Sequence, residues 1–143
     1  MSDSTSSSFI IASAQSSSGL IINDDQTLTV QAGGTAIDTQ LDPSLRHTAD
    51  DEDTGGEEDV YGSSLRTQVN DGDQEIYSGG VSISATVGNE GNVWVDGSGT
   101  TSALVISSGG SAEIGNDESA SAPTATAYDT TVLSGGNLFT NYN

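Results

Sequence analysis

Apolar and polar residues alternate along this chain in short runs closed by glycine or Asn/Asp turns. The clearest stretch is Ser78 to Gly110, where glycine returns at Gly80, Gly91, Gly99 and Gly110 in steps of 11, 8 and 11, so one long and one short step make a unit. A branched apolar residue stands four positions before each glycine, at Ile76, Val87, Val95 and Ile106. Coupling a turn signal to a strand signal in every copy makes this a repeat rather than a composition bias. A period of about 20 residues marks a solenoid, in which each coil buries its apolar face only by stacking on the next.

The same steps recur elsewhere. Ile11, Ile22, Val30 and Leu41 follow one another by 11, 8 and 11, and Val69, Ile76, Val87, Val95, Ile106 and Ile114 by 7, 11, 8, 11 and 8. Within the segments the alternation has period two, as in Leu28-Thr29-Val30, Val81-Ser82-Ile83 and Val93-Trp94-Val95, which predicts short half-buried strands. No window carries apolar residues at helical spacing. The expected fold is all-β, one domain over residues 1–143, a parallel β-helix (β-solenoid) of about six coils of roughly 19 residues. An antiparallel sandwich also places strands every 8–12 positions or so, but its strands have no reason to recur in near-identical pairs.

Two segments break the period. Leu41 to Ile76 is a step of 35 where 8 is expected, which predicts an acidic loop insertion at about 42–68, and Ile114 to Val132 is a step of 18, which predicts a short loop at about 116–123. The inward register comprises Phe9, Ile11, Leu20, Ile22, Leu28, Val30, Ile37, Ile76, Val81, Ile83, Val87, Val93, Val95, Leu104, Ile106, Ile114, Val132 and Leu138.

Charge narrows the partners. Two Lys+Arg stand against 21 Asp+Glu in 143 residues, a formal net charge of -19. Nucleic acid and anionic membrane surfaces are poor partners for such a field, whereas cations, basic proteins and neutral glycans remain open. The chain has no cysteine, which excludes disulfides, thiolate zinc and a cysteine nucleophile. No apolar run is long enough to span a bilayer, so no membrane insertion is expected, and the N-terminal residues have neither a basic region nor an apolar stretch of signal-peptide type.

Four units, Gly33-Gly34-Thr35-Ala36, Ser78-Gly79-Gly80, Ser108-Gly109-Gly110-Ser111-Ala112 and Asp129-Thr130-Thr131-Val132-Leu133-Ser134-Gly135-Gly136, resemble the 19-residue repeats of AIDA-type autotransporter adhesins, and Ser16 to Gln40 is similar to the first units of many AIDA-repeat proteins. The resemblance implies a parallel β-helical stalk on the bacterial cell surface, in some members glycosylated on serine or threonine. Neither a signal peptide nor a C-terminal barrel of alternating strands is evident in the chain. It is expected to be a fragment, a member exported by another route, or a short solenoid whose open ends stack on other copies, since a heterologous contact that does not close propagates as a filament.

Catalysis is not expected. Polysaccharide lyases of β-helical fold need a base, and Arg46, Arg66 and His47 all fall in the acidic insert, while Asp24, Asp25, Asp73, Glu90 and Asp96 fall at turns where Asp is favoured locally. No cofactor is expected, with calcium as the exception to test: Asp50, Asp51 and Asp53 and then Glu57, Glu58 and Asp59 flank Thr54-Gly55-Gly56, and a flexible turn there would gather hard oxygen ligands. Trp94 lies between inward Val93 and Val95 and so points outward, a candidate anchor for a partner or a sugar ring, with Tyr77 as a second binding candidate. The expected function is a structural or adhesive module, extracellular or at the cell surface, that presents a surface to glycans or host components or associates with itself. An intracellular, cytoplasmic solenoid scaffold is the alternative, and a calcium-dependent polysaccharide-binding or polysaccharide-cleaving β-helix a further one.

Overall fold

The computed structural model describes residues 7–41, 55–115 and 124–141. Each coil contributes three strands. In chain order they are β1 (Ser7–Ile11), β2 (Ser16–Ser18) and β3 (Ile21–Ile22); β4 (Gln26–Val30), β5 (Thr35–Ile37) and β6 (Gln40–Leu41); β7 (Glu57–Val60), β8 (Ser63–Leu65) and β9 (Gln68–Asn70). They continue as β10 (Asp73–Ile76), β11 (Val81–Ile83) and β12 (Thr86–Gly88); β13 (Asn92–Val95), β14 (Thr100–Ser102) and β15 (Val105–Ile106); β16 (Ser111–Ile114), β17 (Thr126–Tyr128) and β18 (Thr131–Val132); and β19 (Asn137–Thr140), which starts a seventh coil.

Every strand pairs in parallel with its counterpart one coil away, giving a first sheet of seven strands beginning at β1, a second of six beginning at β2 and a third of six beginning at β3. This is a β-solenoid. A sandwich would instead set consecutive strands side by side and antiparallel.

The anchors Ile11, Val30, Val60, Ile76, Val95 and Ile114 share one register position at the end of the first-sheet strands. They follow one another in steps of 19, 30, 16, 19 and 19. The short step of 16 explains where the insert boundary goes wrong. Residues 57–68, assigned by spacing to the acidic loop, form most of the third coil, with Val60 and Val69 as its buried anchors. That coil turns through Tyr61-Gly62, directly after Val60, whereas the next turns through the longer run Tyr77 to Gly80 after Ile76. A shortened turn removes the step of 11 on which the spacing rule depends. Residues 42–54 and the short loop at 116–123 lie outside the described residues.

Two local devices build the coil. In the Gly79-Gly80 turn, Gly79 has φ +85, a conformation that L side chains rarely adopt, and a Cβ on Gly80 would sit 2.0 Å from the Val60 carbonyl oxygen of the preceding coil. The first glycine makes the bend and the second admits the neighbouring backbone. Between the second and third sheets one residue per coil is left-handed: Gly19, Asp38, Arg66, Ser84, Ala103 and Asp129. From Gly19 to Ala103 the N–H of that residue donates to a carbonyl of the following coil, so the ladder continues around the corner.

The interior is a set of columns. Leu28, Val30, Ile22, Leu41, Val60, Val69, Ile76, Val87, Val93, Val95, Leu104 and Ile106 are enclosed. Ile37, Val81, Ile83, Phe9, Val132, Leu138 and Leu20, all expected in the core, are not. Ile37, Val81 and Ile83 flank the centre of second-sheet strands, and in each such strand only the middle residue points inward: Ala36, Ser64, Ser82 and Thr101 are buried. Short turns on both sides fix the phase of so short a strand, and the converging sheets leave room for small side chains only. Phe9, Val132 and Leu138 register with the buried Leu28, Ile106 and Ala112, yet remain about 40% exposed because their outermost coils have a neighbour on one side only. Leu20 is half-buried against the core.

Candidate functional site

The outer face of the first sheet concentrates the chemistry. Period-two alternation turns one residue of each pair outward, and stacking lines these up in two columns. One column runs Thr27, Glu57, Asp73, Asn92, Ser111 and Asn137, the other Thr29, Asp59, Glu75, Trp94, Glu113 and Phe139. None of the strands of this sheet contains Lys, Arg or His.

The first column is tied together by side chains. Thr27 Oγ1 donates to Glu57 Oε2 at 3.2 Å, Asn92 Nδ2 to Asp73 Oδ1 at 3.1 Å, and Ser111 Oγ to Asn92 Oδ1 at 2.6 Å. In the second column Asp59 and Glu75 are direct cross-strand neighbours. Carboxylate oxygens of Glu57, Asp59 and Glu75 lie within 4.8 Å of one another, close enough for one hard cation to bridge. Burial and then the charge of Asp59 push the Glu57 carboxyl above its ordinary range, and burial followed by the charge of Glu75 does the same to Asp59. Oδ1 of Asp59 is enclosed without a hydrogen-bond partner among the described residues.

Aromatic rings border these carboxylates. Tyr61 and Tyr77 follow the anchors of successive coils and stack with centroids 4.5 Å apart and planes at 4°. The Tyr77 hydroxyl donates to Glu75, and burial with the nearby carboxylates pushes its phenol well above the usual range. Trp94 faces outward, half-buried, with Glu75 beside it on the preceding strand and Glu113 on the following one. Glu113 in turn accepts a hydrogen bond from Asn141.

The residues singled out from sequence divide clearly. Trp94 and Tyr77 lie on or beside this face. Glu57, Glu58 and Asp59 do not belong to a flexible turn: they occupy β7, where Glu57 and Asp59 point out and Glu58 points in. Asp50, Asp51 and Asp53 lie outside the described residues, as do Arg46 and His47. Arg66 sits on the corner between β8 and β9, where Nε and Nη2 donate to Asp38 Oδ1 and Oδ2 at 2.7 and 2.9 Å. This pairing holds Asp38 below the usual carboxylate range.

Glu58 is fully enclosed. It accepts from Gln74 Nε2 at 2.7 Å, from Ser64 Oγ at 3.1 Å and from Thr67 Oγ1 at 3.1 Å, while Gln74 Oε1 accepts from Ser82 Oγ at 3.0 Å. Burial drives its carboxyl above the ordinary range against those three donors. It cannot reach an ion on the outer face.

Sequence reasoning missed Glu75, Glu113 and Tyr61. Asp59 and Glu75 stand a whole coil apart along the chain, and only the stacking of coils makes them neighbours. A signal existed: each immediately precedes an anchor, Val60 or Ile76, and so occupies the same phase.

No protein-family model matches the chain, and no curated protein matches it in sequence. Solved structures do match. One is a crystal structure of a fragment of TibA, hyper-glycosylated by TibC, which aligns with a TM-score of 0.77 and 25% identity. TibA is an AIDA-type autotransporter adhesin. This chain shares the fold of an adhesin β-helix. The alignment covers 95% of the chain and 44% of the TibA fragment, so the chain spans less than half the length of the structure it matches.

Proposed function

We propose that this chain is a non-enzymatic adhesive module, displayed at the bacterial cell surface, that presents the flat outer face of its first sheet to partners. The observation that carries this reading is the likeness to the TibA fragment over 95% of the chain. A rigid parallel stack suits such a role, because it holds columns of side chains at a fixed spacing of about 4.8 Å without a mobile loop. Beads coated with the purified chain are expected to adhere to host cells or to bacterial surfaces more than beads coated with an unrelated acidic protein. Adhesion no better than that control would sink the reading.

The ends favour self-association as part of the same function. The first coil opens onto a depression of about 430 Å³ lined by apolar Phe9, Ile10, Ile11, Leu20 and Leu28 and by polar Gln15, Ser16 and Ser17, and the last described strands expose Val132 and Leu138. Among the described residues, the outermost strands at both ends of the stack present parallel edges of the same three-sheet cross-section, a geometry that supports head-to-tail stacking of this chain. Sedimentation velocity over a concentration series is expected to show growing species, with fibres in electron micrographs. A constant monomer refutes end stacking while leaving the adhesive role intact.

The convergence of Glu57, Asp59 and Glu75 favours a calcium ion as an accessory ligand of this face. Millimolar calcium is then expected to raise the melting temperature, and Asp59→Asn to abolish that rise. An equal rise in the variant places the effect elsewhere.

A further inference from the structure

The second column of the first sheet alternates acid and ring. Trp94 is flanked in register by Glu75 on one side and Glu113 on the other. Each of these carboxylates accepts one hydrogen bond, from Tyr77 and from Asn141 respectively, and the second oxygen of each has no hydrogen-bond partner among the described residues. Beyond Glu75 lies Asp59, with Glu57 and Asp73 in the adjoining column. Among the described residues nothing basic compensates the charge of this face, since its strands carry no Lys, Arg or His and Arg66 is committed to Asp38 on a different corner. Burial first, and neighbouring carboxylates second, push the Glu57 and Asp59 carboxyls above their ordinary range.

An indole face bordered by two carboxylates is complementary to an ammonium or guanidinium group. The ring quadrupole attracts the cation, the flanking acids supply directional acceptors, and a guanidinium can stack on the ring while donating to both sides. A neutral sugar would gain the stacking but none of the charge.

We propose that the outer face of the first sheet around Trp94 is a docking surface for a basic polypeptide segment, with an arginine or lysine side chain seated over the indole between Glu75 and Glu113. This rests on the adhesive reading above and names the chemical class of its partner. Neighbouring cations of the same segment fall on Asp59, Glu57 and Asp73, which continue the acidic track over the preceding coils.

The test uses the full chain and a fluorescein-labelled nona-arginine peptide at physiological salt with EDTA present, so that no metal contributes, and reads fluorescence anisotropy. A saturable isotherm is expected, weakened about tenfold by Glu75→Gln/Glu113→Gln and to a similar degree by Trp94→Leu. Asp25→Asn/Asp129→Asn removes the same formal charge at two exposed turns away from this face, where Asn tolerates the left-handed conformation; it should stay within about twofold of the parent chain. Equal weakening by both double variants identifies bulk polyelectrolyte attraction and overturns the proposal. So does full affinity in Trp94→Leu, or the absence of a saturable isotherm. Circular dichroism of each variant confirms that the coils are intact. Adhesion that persists in the bead assay while the peptide fails to bind removes this inference alone, whereas loss of adhesion by the parent chain removes the adhesive reading itself.

Discussion

Glu58 shows how one residue can look like a ligand in sequence and act as interior structure in the fold. It shares its column with Leu28 and Val93, yet it is a carboxyl group, and the third and fourth coils supply Ser64, Thr67 and Gln74 as its partners. Because burial raises its pKa in the folded state, the folded protein holds that proton more tightly than the unfolded chain does. The stability it contributes is therefore present at low pH and is lost as pH rises from the ordinary glutamate value of 4.5 through the raised folded value. Glu57 and Asp59 shift in the same direction. The urea midpoint is expected to fall as pH rises above about 4.5, and Glu58→Gln to flatten part of that fall, equalling the parent near pH 4 and exceeding it near pH 7. Parallel curves for the two proteins would remove Glu58 as a source of the pH dependence. Truncation is different: Glu58→Leu leaves buried Ser64, Thr67 and Gln74 groups short of a partner, at a cost of about 1–3 kcal/mol in the urea midpoint analysis.

At the scale of the element, the coil is defined by its turns more than by its strands. The strands of the second and third sheets are two or three residues long, too short to specify their own phase, so the corners decide which side chain goes in. Two substitutions of opposite sign test this. Gly80→Ala puts a methyl group against the Val60 carbonyl oxygen, and overpacking of that kind costs about 1–3 kcal/mol. Ala103→Gly relieves a left-handed alanine at φ 55 and is expected to stabilise by up to about 1 kcal/mol after the entropic cost of glycine. Chemical denaturation of both variants measures the pair. A neutral Gly80→Ala would mean that adjacent coils can move apart at that turn. Turn chemistry also sets the limit of sequence reading here: the Gly-Gly pairs are legible as turns, but the compact Tyr61-Gly62 turn is not, and with it most of the third coil hides inside an apparent insert.

Across the whole molecule, stacking converts a chain with few apolar residues into a continuous core, and the chain carries a formal charge of -19. Same-sign crowding destabilises the compact state, and salt screens it over a Debye length of about 8 Å at physiological ionic strength. The melting temperature is accordingly expected to rise with sodium chloride between low and physiological salt. A flat response would show that the charges are already compensated by pairing, which Asp38 with Arg66 alone cannot do.

The architecture is written in local sequence. The repeat phase, the glycine turns and the alternation are local properties, and local properties suffice for a solenoid because every coil repeats the same contacts with the next. The outward direction of Trp94 follows from the same alternation. Which residues share a column is another matter, and it waits on the folded stack, because a column of the first sheet joins positions whose numbers differ by 16, 19, 26 or 30 according to the turn and insert between them. That is why Glu75 and Glu113 flank Trp94, why Glu57 and Asp59 meet Glu75, and why Glu58, between two outward acids in the chain, lies inside the core.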